Sequence, residues 1–392
     1  MSTAAASSDA GRVEVAALLD KARAATGLTD FGDPWFMAPL TKLVEAINTE
    51  GDLKSPDEAP VERIVYGLMD RLKKHALLQE HPEILDEGIH VAGAILGLPR
   101  TGSTMLQRLL GSVPQLTSGI WWEVTFPLPF PGEAWGDPTP RIEAAKAAVD
   151  AFYAAWPEFR SIHPMDALAF DEEVILMDKG FLTATYESMI HVPSYGFWMA
   201  QQDKTRAYQE LKEWLQILQW QSPWRRGRKW ILKSPSHLLS GLQGLLDAFP
   251  EAHVIMTHRR VSETTPSYCS MCHSMMVSHT QHLDPHAIGA HWNQRFQDGM
   301  RNLIETRRRI GPERFIDVRY EDTVRDPIGT ARRVMELMGL PPTDADIQAM
   351  TAWREANSRE DRPPHHYAPE DFGLSLDQMD RDFAFYTAAY LT

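Results

Sequence analysis

Ile95-Leu-Gly-Leu-Pro-Arg-Thr-Gly-Ser-Thr104 joins an apolar run, Val91 to Leu96, to a segment of helical period that starts at Thr104. Gly97 and Gly102 keep the G-x-x-x-x-G spacing of a phosphate loop, in which successive backbone N–H groups point into one concavity and bind anionic oxygens. In nucleoside-triphosphate loops the next residue is a lysine that holds the β- and γ-phosphates. Here it is Ser103, followed by Thr104, and the loop's cation is Arg100. The stretch therefore predicts a strand, an anion cradle and a helix, and its missing lysine argues against an ordinary ATPase or GTPase.

Three further apolar or β-branched runs follow the same plan: Lys229 to Leu232, His253 to Thr257 and Phe315 to Val318. Helix-length periodic segments succeed them at His237 to Phe249, Val261 to Val277 and Thr323 to Met338. Strands alternating with helices predict an α/β fold: a P-loop-type parallel β-sheet core flanked by helices and joined by right-handed crossovers. Apolar residues at helical spacing, Val15, Leu18, Leu19 and Ala22 and later Val61, Ile64, Leu68 and Leu72, mark an N-terminal helical region. Between the first two runs lie the patterns Arg141 to Trp156, Glu172 to Met189 and Arg206 to Gln221, a large helical insertion of the kind that lines substrate pockets. The expected organisation is a helical region over 1–88, an α/β domain over 89–352 with its insertion at about 125–225, and an arm over 353–392 folded over the domain. That arm carries Pro363-Pro364 and His365-His366-Tyr367.

Composition limits the partners. Over 392 residues, 39 Lys and Arg against 53 Asp and Glu give a formal charge of -14, which disfavours nucleic acid and other polyanions. Any anion must be met by a local basic site. No apolar run approaches a membrane span. Met1 to Gly11 is small and polar and reads as a disordered leader rather than a signal peptide. With two cysteines there is no disulfide framework, so a cytoplasmic location is expected. Cys269-Ser-Met-Cys272-His273 has the spacing of a haem-attachment motif, but it falls within a helical pattern and reads as two small residues packed on one face. A zinc site with His279 and His282 would lack a compact second ligand pair, so no metal is expected.

A second anion site is legible after the third run. His253 to Thr257 ends in His258-Arg259-Arg260, and Ser267 follows Arg259 by eight residues, at the expected start of the next helix. A guanidinium and a hydroxyl at the carboxyl end of a parallel strand bind phosphate. Two such sites on neighbouring strand ends imply a ligand phosphorylated at both ends.

These features resemble the sulfotransferases that use 3'-phosphoadenosine 5'-phosphosulfate (PAPS, with PAP as product), in a bacterial or tyrosylprotein-sulfotransferase-like branch. Pro99-Arg-Thr-Gly-Ser-Thr104 is similar to that family's 5'-phosphosulfate loop, and Arg259 with Ser267 to its 3'-phosphate pair. Val318-Arg-Tyr-Glu-Asp322 resembles its late strand-helix unit, whose tyrosine maps onto Tyr320, and Leu232-Lys-Ser-Pro-Ser-His-Leu238 its lysine-containing segment. The resemblance implies cofactor contacts from Pro99, Arg100, Thr101, Gly102, Ser103, Thr104, Arg259, Ser267 and Tyr320. Two positions depart from the cytosolic members. Met105 stands where they carry an adenine-stacking tryptophan, and His237 lies two residues later than their histidine.

The implied reaction is transfer of a sulfuryl group to a hydroxyl. Arg100 and Lys233 would stabilise the charge that develops on the transferred group and the leaving phosphate. The resemblance offers two bases for the acceptor's proton, Glu123 and His237; Glu123 is preferred because its aromatic neighbours would desolvate it and raise its pKa. Trp121, Trp122, Phe126, Phe130 and Trp135 cluster beside it, which suits a hydrophobic small-molecule or lipid hydroxyl acceptor. Asp171-Glu-Glu173 allows two readings, acids facing the acceptor or acids at a helix start favoured by its dipole. The rival functions are a P-loop kinase or NTPase and a non-catalytic nucleotide-binding protein. A homo-oligomer is compatible with all three.

Overall fold

The computed structural model describes residues 11–357 and 366–391. Five strands form one sheet: β1 (Val91–Gly97), β2 (Leu116–Thr117), β3 (Lys229–Lys233), β4 (His253–His258) and β5 (Phe315–Arg319), in the order β2-β3-β1-β4-β5. Every pairing is parallel, with β1 in the centre, where Ala94 stands opposite Leu232 on one side and Val254 on the other. All residues of β1 are buried, as a parallel strand covered by helices on both faces requires. Side chains alternate between two cores. Leu96, Trp230, Leu232, Val254 and Met256 face the larger one, and Ile95, Ile231, Ile255, Ile316 and Val318 the smaller.

The four long runs read from the sequence are thus strands, and the α/β fold with a parallel core is as expected. The two-residue strand β2 carries no periodic signal. The N-terminal helices Val15–Thr26, Met37–Glu50 and Ala59–Glu80 place Leu18, Leu40, Leu68 and Leu72 in the same core as β3 and β4. The helices Trp121–Thr125, Thr139–Ala155 and Phe159–Ile162 build a third apolar cluster around Trp122, Tyr153 and Phe159, closed by Met271 and Met275.

Three expected helices are broken. Glu172 to Met189 becomes two short helices, Val174–Met177 and Thr185–Met189, because buried Asp178 accepts from Arg63 and Thr183, each at 2.5 Å, and Phe181 turns left-handed at φ 57. The stretch after β3 divides into Ser236–Ser240 and Leu242–Ala248, separated by Gly241, whose backbone lies against the Tyr208 ring. The stretch after β5 divides at Pro327, which has no N–H to continue the ladder, and Asp326 caps the second piece through the Gly329 N–H at 2.9 Å.

The carboxy-terminal arm packs on the domain. Phe383 and Tyr386 are fully buried, the Tyr386 hydroxyl meets His258 Nδ1 at 3.1 Å, and Tyr390 stacks on the His258 ring at 4.8 Å. Pro363, Pro364 and His365, like Met1 to Ala10 of the expected leader, lie outside the described residues; Tyr367 donates to the Glu263 carbonyl at 3.3 Å. Among the described residues no helix is long and apolar enough to cross a membrane.

Candidate active site

The loop after β1 is shaped by its glycines. Gly97 has φ 145, and a Cβ there would stand 2.4 Å from the Thr257 carbonyl oxygen, so glycine lets β1 and β4 meet at their carboxyl ends. Gly102, at φ 80, opens the helix Ser103–Gly111 and passes under the Tyr320 ring. Between them Arg100 is left-handed at φ 68, an uncommon conformation for a side-chain-bearing residue. Thr101 fixes the turn: its Oγ1 donates to the Leu98 carbonyl at 2.8 Å and lies 2.7 Å from Thr257 Oγ1. The helix Ser103–Gly111 starts directly at the loop, and the first N–H groups of a helix have no partner within it, so with the helix dipole this end favours an anion.

The second anion site converges on this loop. Arg100 Nε donates to Ser267 Oγ at 3.2 Å, and its Nη1 donates to the Ile162 carbonyl at 2.5 Å. Arg259 donates to the Arg100 carbonyl at 2.8 Å, lies 4.0 Å over the Tyr320 ring centre and pairs with Glu263 at 2.9 Å. Ser267 sits in the second turn of the helix Val261–Met276, not at its start, just after the internal Pro266. Arg100, Arg259, Ser267 and Tyr320 are therefore neighbours around one end of the sheet. Cys269 and Cys272, further along that helix, are buried in the larger core, and burial pushes both thiols' pKa up.

On the other side of β1, Lys233 ends β3. Its Nζ lies 3.3 Å from Thr104 Oγ1 and contacts Glu172 Oε1, while its backbone N–H donates to Glu173 Oε2 at 2.8 Å. Burial raises the pKa of Glu172, against the opposing pull of Lys233. His237 is fully buried. Its Nε2 donates to Glu173 Oε1 at 2.7 Å, and its Nδ1 meets the Tyr208 hydroxyl at 2.8 Å, so both ring nitrogens are engaged within the fold.

Glu123 is also differently placed from the expectation. Both its oxygens accept from Arg225 at 2.6 Å, and Oε2 also accepts from the Ile120 N–H at 3.1 Å. Arg225, itself fully buried, donates further to Thr117 Oγ1 and the Ser118 carbonyl. An ion pair, not an apolar pocket, holds this acid. A cavity of about 110 Å³ lies beside it, lined by Trp122, Glu133, Trp135, Arg141 and Gln221, all outside the loop.

Sequence reasoning missed Arg225 and Tyr208, which contact Glu123 and His237 from distant positions without a local motif. Glu172 and Glu173 were within reach through the acidic run, whose reading as acids at a helix start hid their contacts with Lys233 and His237. His163 was missed too. Burial lowers its pKa to about 4, helped by Lys233, Arg100 and Arg108, although Asp171 opposes them.

The profile described as "Sulfotransferase family" matches residues 94–344, which include the second half of β1, the whole loop and all of β3, β4 and β5. The omega-hydroxy-beta-dihydromenaquinone-9 sulfotransferases Stf3 of Mycobacterium bovis and Mycobacterium tuberculosis are 28% identical over 259 residues, 63% of this chain. The match spans 62% of their own length, just under two thirds. Among solved structures, sulfotransferase STF1 from Mycobacterium tuberculosis is 28% identical with a TM-score of 0.83, covering 96% of this chain and 100% of its own. Sulfotransferase STF9 from Mycobacterium avium is 26% identical with a TM-score of 0.86, covering 98% of each. With the profile covering well over half of the sequence and its strands ordered around the loop, the chain belongs to the sulfotransferase family.

Proposed function

We propose that the protein is an enzyme that moves a sulfuryl group from PAPS to a hydroxyl of a hydrophobic, lipid-like acceptor. One observation carries the reading: the loop cation Arg100 is hydrogen-bonded to Ser267 and capped by Arg259, so the two anion sites form one continuous cradle. The donor set fits a bisphosphorylated adenosine. Arg259 and Ser267 suit a 3'-phosphate, the backbone from Pro99 to Thr104 with Arg100 and Lys233 suits a 5'-phosphosulfate, and Tyr320, which lies against Arg259, would flank the nucleotide. PAPS supplies the activated sulfuryl group, whose leaving partner is a phosphate. Arg100 and Lys233 offset the negative charge that grows there, and the Thr101 to Thr104 donors orient it, so positioning and electrostatics do the catalytic work.

A hydrophobic acceptor is supported by the apolar cluster at Trp122, Tyr153 and Phe159, whose helix Phe159–Ile162 ends on the carbonyl that Arg100 grips. The relatives named for a menaquinone derivative point the same way. The N–H-lined loop without a lysine at Ser103 disfavours the NTPase reading. Calorimetric titration with PAP and with Mg·ATP tests it: PAP is expected to bind and ATP to bind far more weakly, and the opposite order overturns the proposal. Transfer of labelled sulfate from PAPS to long-chain alcohols and hydroxylated quinones, compared with simple phenols and sugars, tests the acceptor class. Product formed equally from all four excludes a lipid-selective pocket.

A further inference from the structure

We propose that Glu172 is the base that removes the acceptor's proton, and that Lys233 is a counterion shared between Glu172 and the sulfuryl donor. The inference rests on the donor reading above. Four carboxylates lie near the carboxyl ends of β2 and β3. The side chains of Glu123 and Glu173 are 3% and 2% exposed and committed to Arg225 and His237, and that of Asp171 is 7% exposed beside Arg108. Glu172 is 17% exposed, and it alone touches the Lys233 ammonium that also reaches the loop at Thr104. Acid, amine and loop hydroxyl are thus consecutive contacts.

The backbone that carries Glu172 is held by the helix that follows the loop. Gln107 donates to the Asp171 carbonyl at 2.8 Å and Arg108 to the Phe170 carbonyl at 3.0 Å, while the Asp171 N–H donates to the Gly119 carbonyl at 2.9 Å. An anion that settles on the loop is therefore registered within a turn of the acid. Three groups besides Lys233 face Glu172: Asp171 and Glu173 on its own segment, and Tyr268 from the helix Val261–Met276. Among the described residues its one close cation is Lys233. When the ammonium swings toward a phosphosulfate, the carboxylate is left beside new negative charge with its counterion withdrawn, and its affinity for a proton rises.

In the transfer step the acceptor oxygen forms its bond to sulfur as the bond from sulfur to the phosphate oxygen breaks. The bonding pair leaves with the phosphate of PAP, and the hydroxyl proton passes to Glu172. No further reactant is needed. The competing group, His163, is pulled down to about 4 by burial and neighbouring cations, which makes it the weaker proton acceptor.

Two measurements test this. Calorimetric titration of PAP near pH 6 in two buffers of different ionisation enthalpy should show the wild type taking up more protons, by up to about one, than Glu172→Gln, a difference in which the protons released by the PAP phosphates cancel, with PAP affinity within about threefold. Turnover of Glu172→Gln should fall by roughly 100-fold or more, and wild-type kcat should fall on the acid side where Glu172→Gln shows no such limb. Near-wild-type turnover in Glu172→Gln, or a loss confined to His163→Gln, overturns the inference and leaves the donor reading standing. If the wild type does not bind PAP, both fail. Retained PAP binding by the variant shows that it is folded.

Discussion

Arg100 and Ser267 share a hydrogen bond of 3.2 Å between Nε and Oγ, joining the loop after β1 to the helix after β4. Arg259 completes the link from the other side by donating to the Arg100 carbonyl. A single ligand that spans both sites would replace protein contacts with charge-assisted ones. Hydrogen bonds of that kind contribute about 1.5 to 3 kcal/mol each. Arg259→Ala is therefore expected to weaken PAP binding by roughly 10- to 100-fold, and Ser267→Ala by less, with Mg·ATP binding changed by neither. Calorimetry decides it, and unchanged PAP affinity in Arg259→Ala would remove the second anion site from the proposal.

The pair Glu123 and Arg225 is expected to act on stability. Removing one partner leaves the other charged and buried, which costs about 3 to 5 kcal/mol. Arg225→Met should lower the unfolding free energy read from urea titration by that amount, and Arg225→Met with Glu123→Leu should recover most of it. If Glu123→Gln instead abolishes turnover with an unchanged midpoint, the acid belongs to the chemistry after all.

Acid sensitivity should trace to a second buried pair. Burial acts to raise the pKa of Glu187, but the Arg295 guanidinium and the His291 hydrogen bond overcome it and hold the group down to about 2. In an unfolded chain a glutamate titrates at about 4.3. The folded state thus binds the proton less readily. Its stabilisation is complete above the unfolded value and is lost as pH falls from there toward 2. Urea midpoints measured between pH 6 and 2 should fall more steeply for the wild type than for Glu187→Gln; parallel curves would refute the assignment.

Gly97→Ala should damage both fold and site. The added methyl meets the Thr257 carbonyl at 2.4 Å on a backbone at φ 145 that alanine rarely adopts. A cost above about 2 kcal/mol is expected, with loss of PAP binding in whatever remains folded. An alanine variant with wild-type melting and affinity would show that β1 and β4 can separate without consequence.

The fold was legible because parallel strands buried on both faces leave continuous apolar runs, as in Val91 to Leu96 and His253 to Thr257. The meeting of Arg100, Arg259, Ser267 and Tyr320 at one end of the sheet was legible because these residues sit at fixed offsets from those runs. Partners brought in by tertiary contact were not. Nothing around Glu123 announces Arg225, and nothing around His237 announces Tyr208, because side chains that pair across the sheet edge leave no local period. The helix read over Glu172 to Met189 failed for a similar reason. Asp178 is recruited by Arg63 from the N-terminal region, a demand that no window of neighbouring residues contains.

The central position of β1 bears on biosynthesis. Its loop leaves the ribosome well before the strand that lies against Gly97, and Tyr320 comes later still. A nascent chain that stops short of β5 carries the glycine loop but not the surfaces that define it. On the donor reading proposed above, anion binding would be a late acquisition in the life of the polypeptide. Truncated products would be invisible to the nucleotide, so PAP should protect only full-length chains from proteolysis.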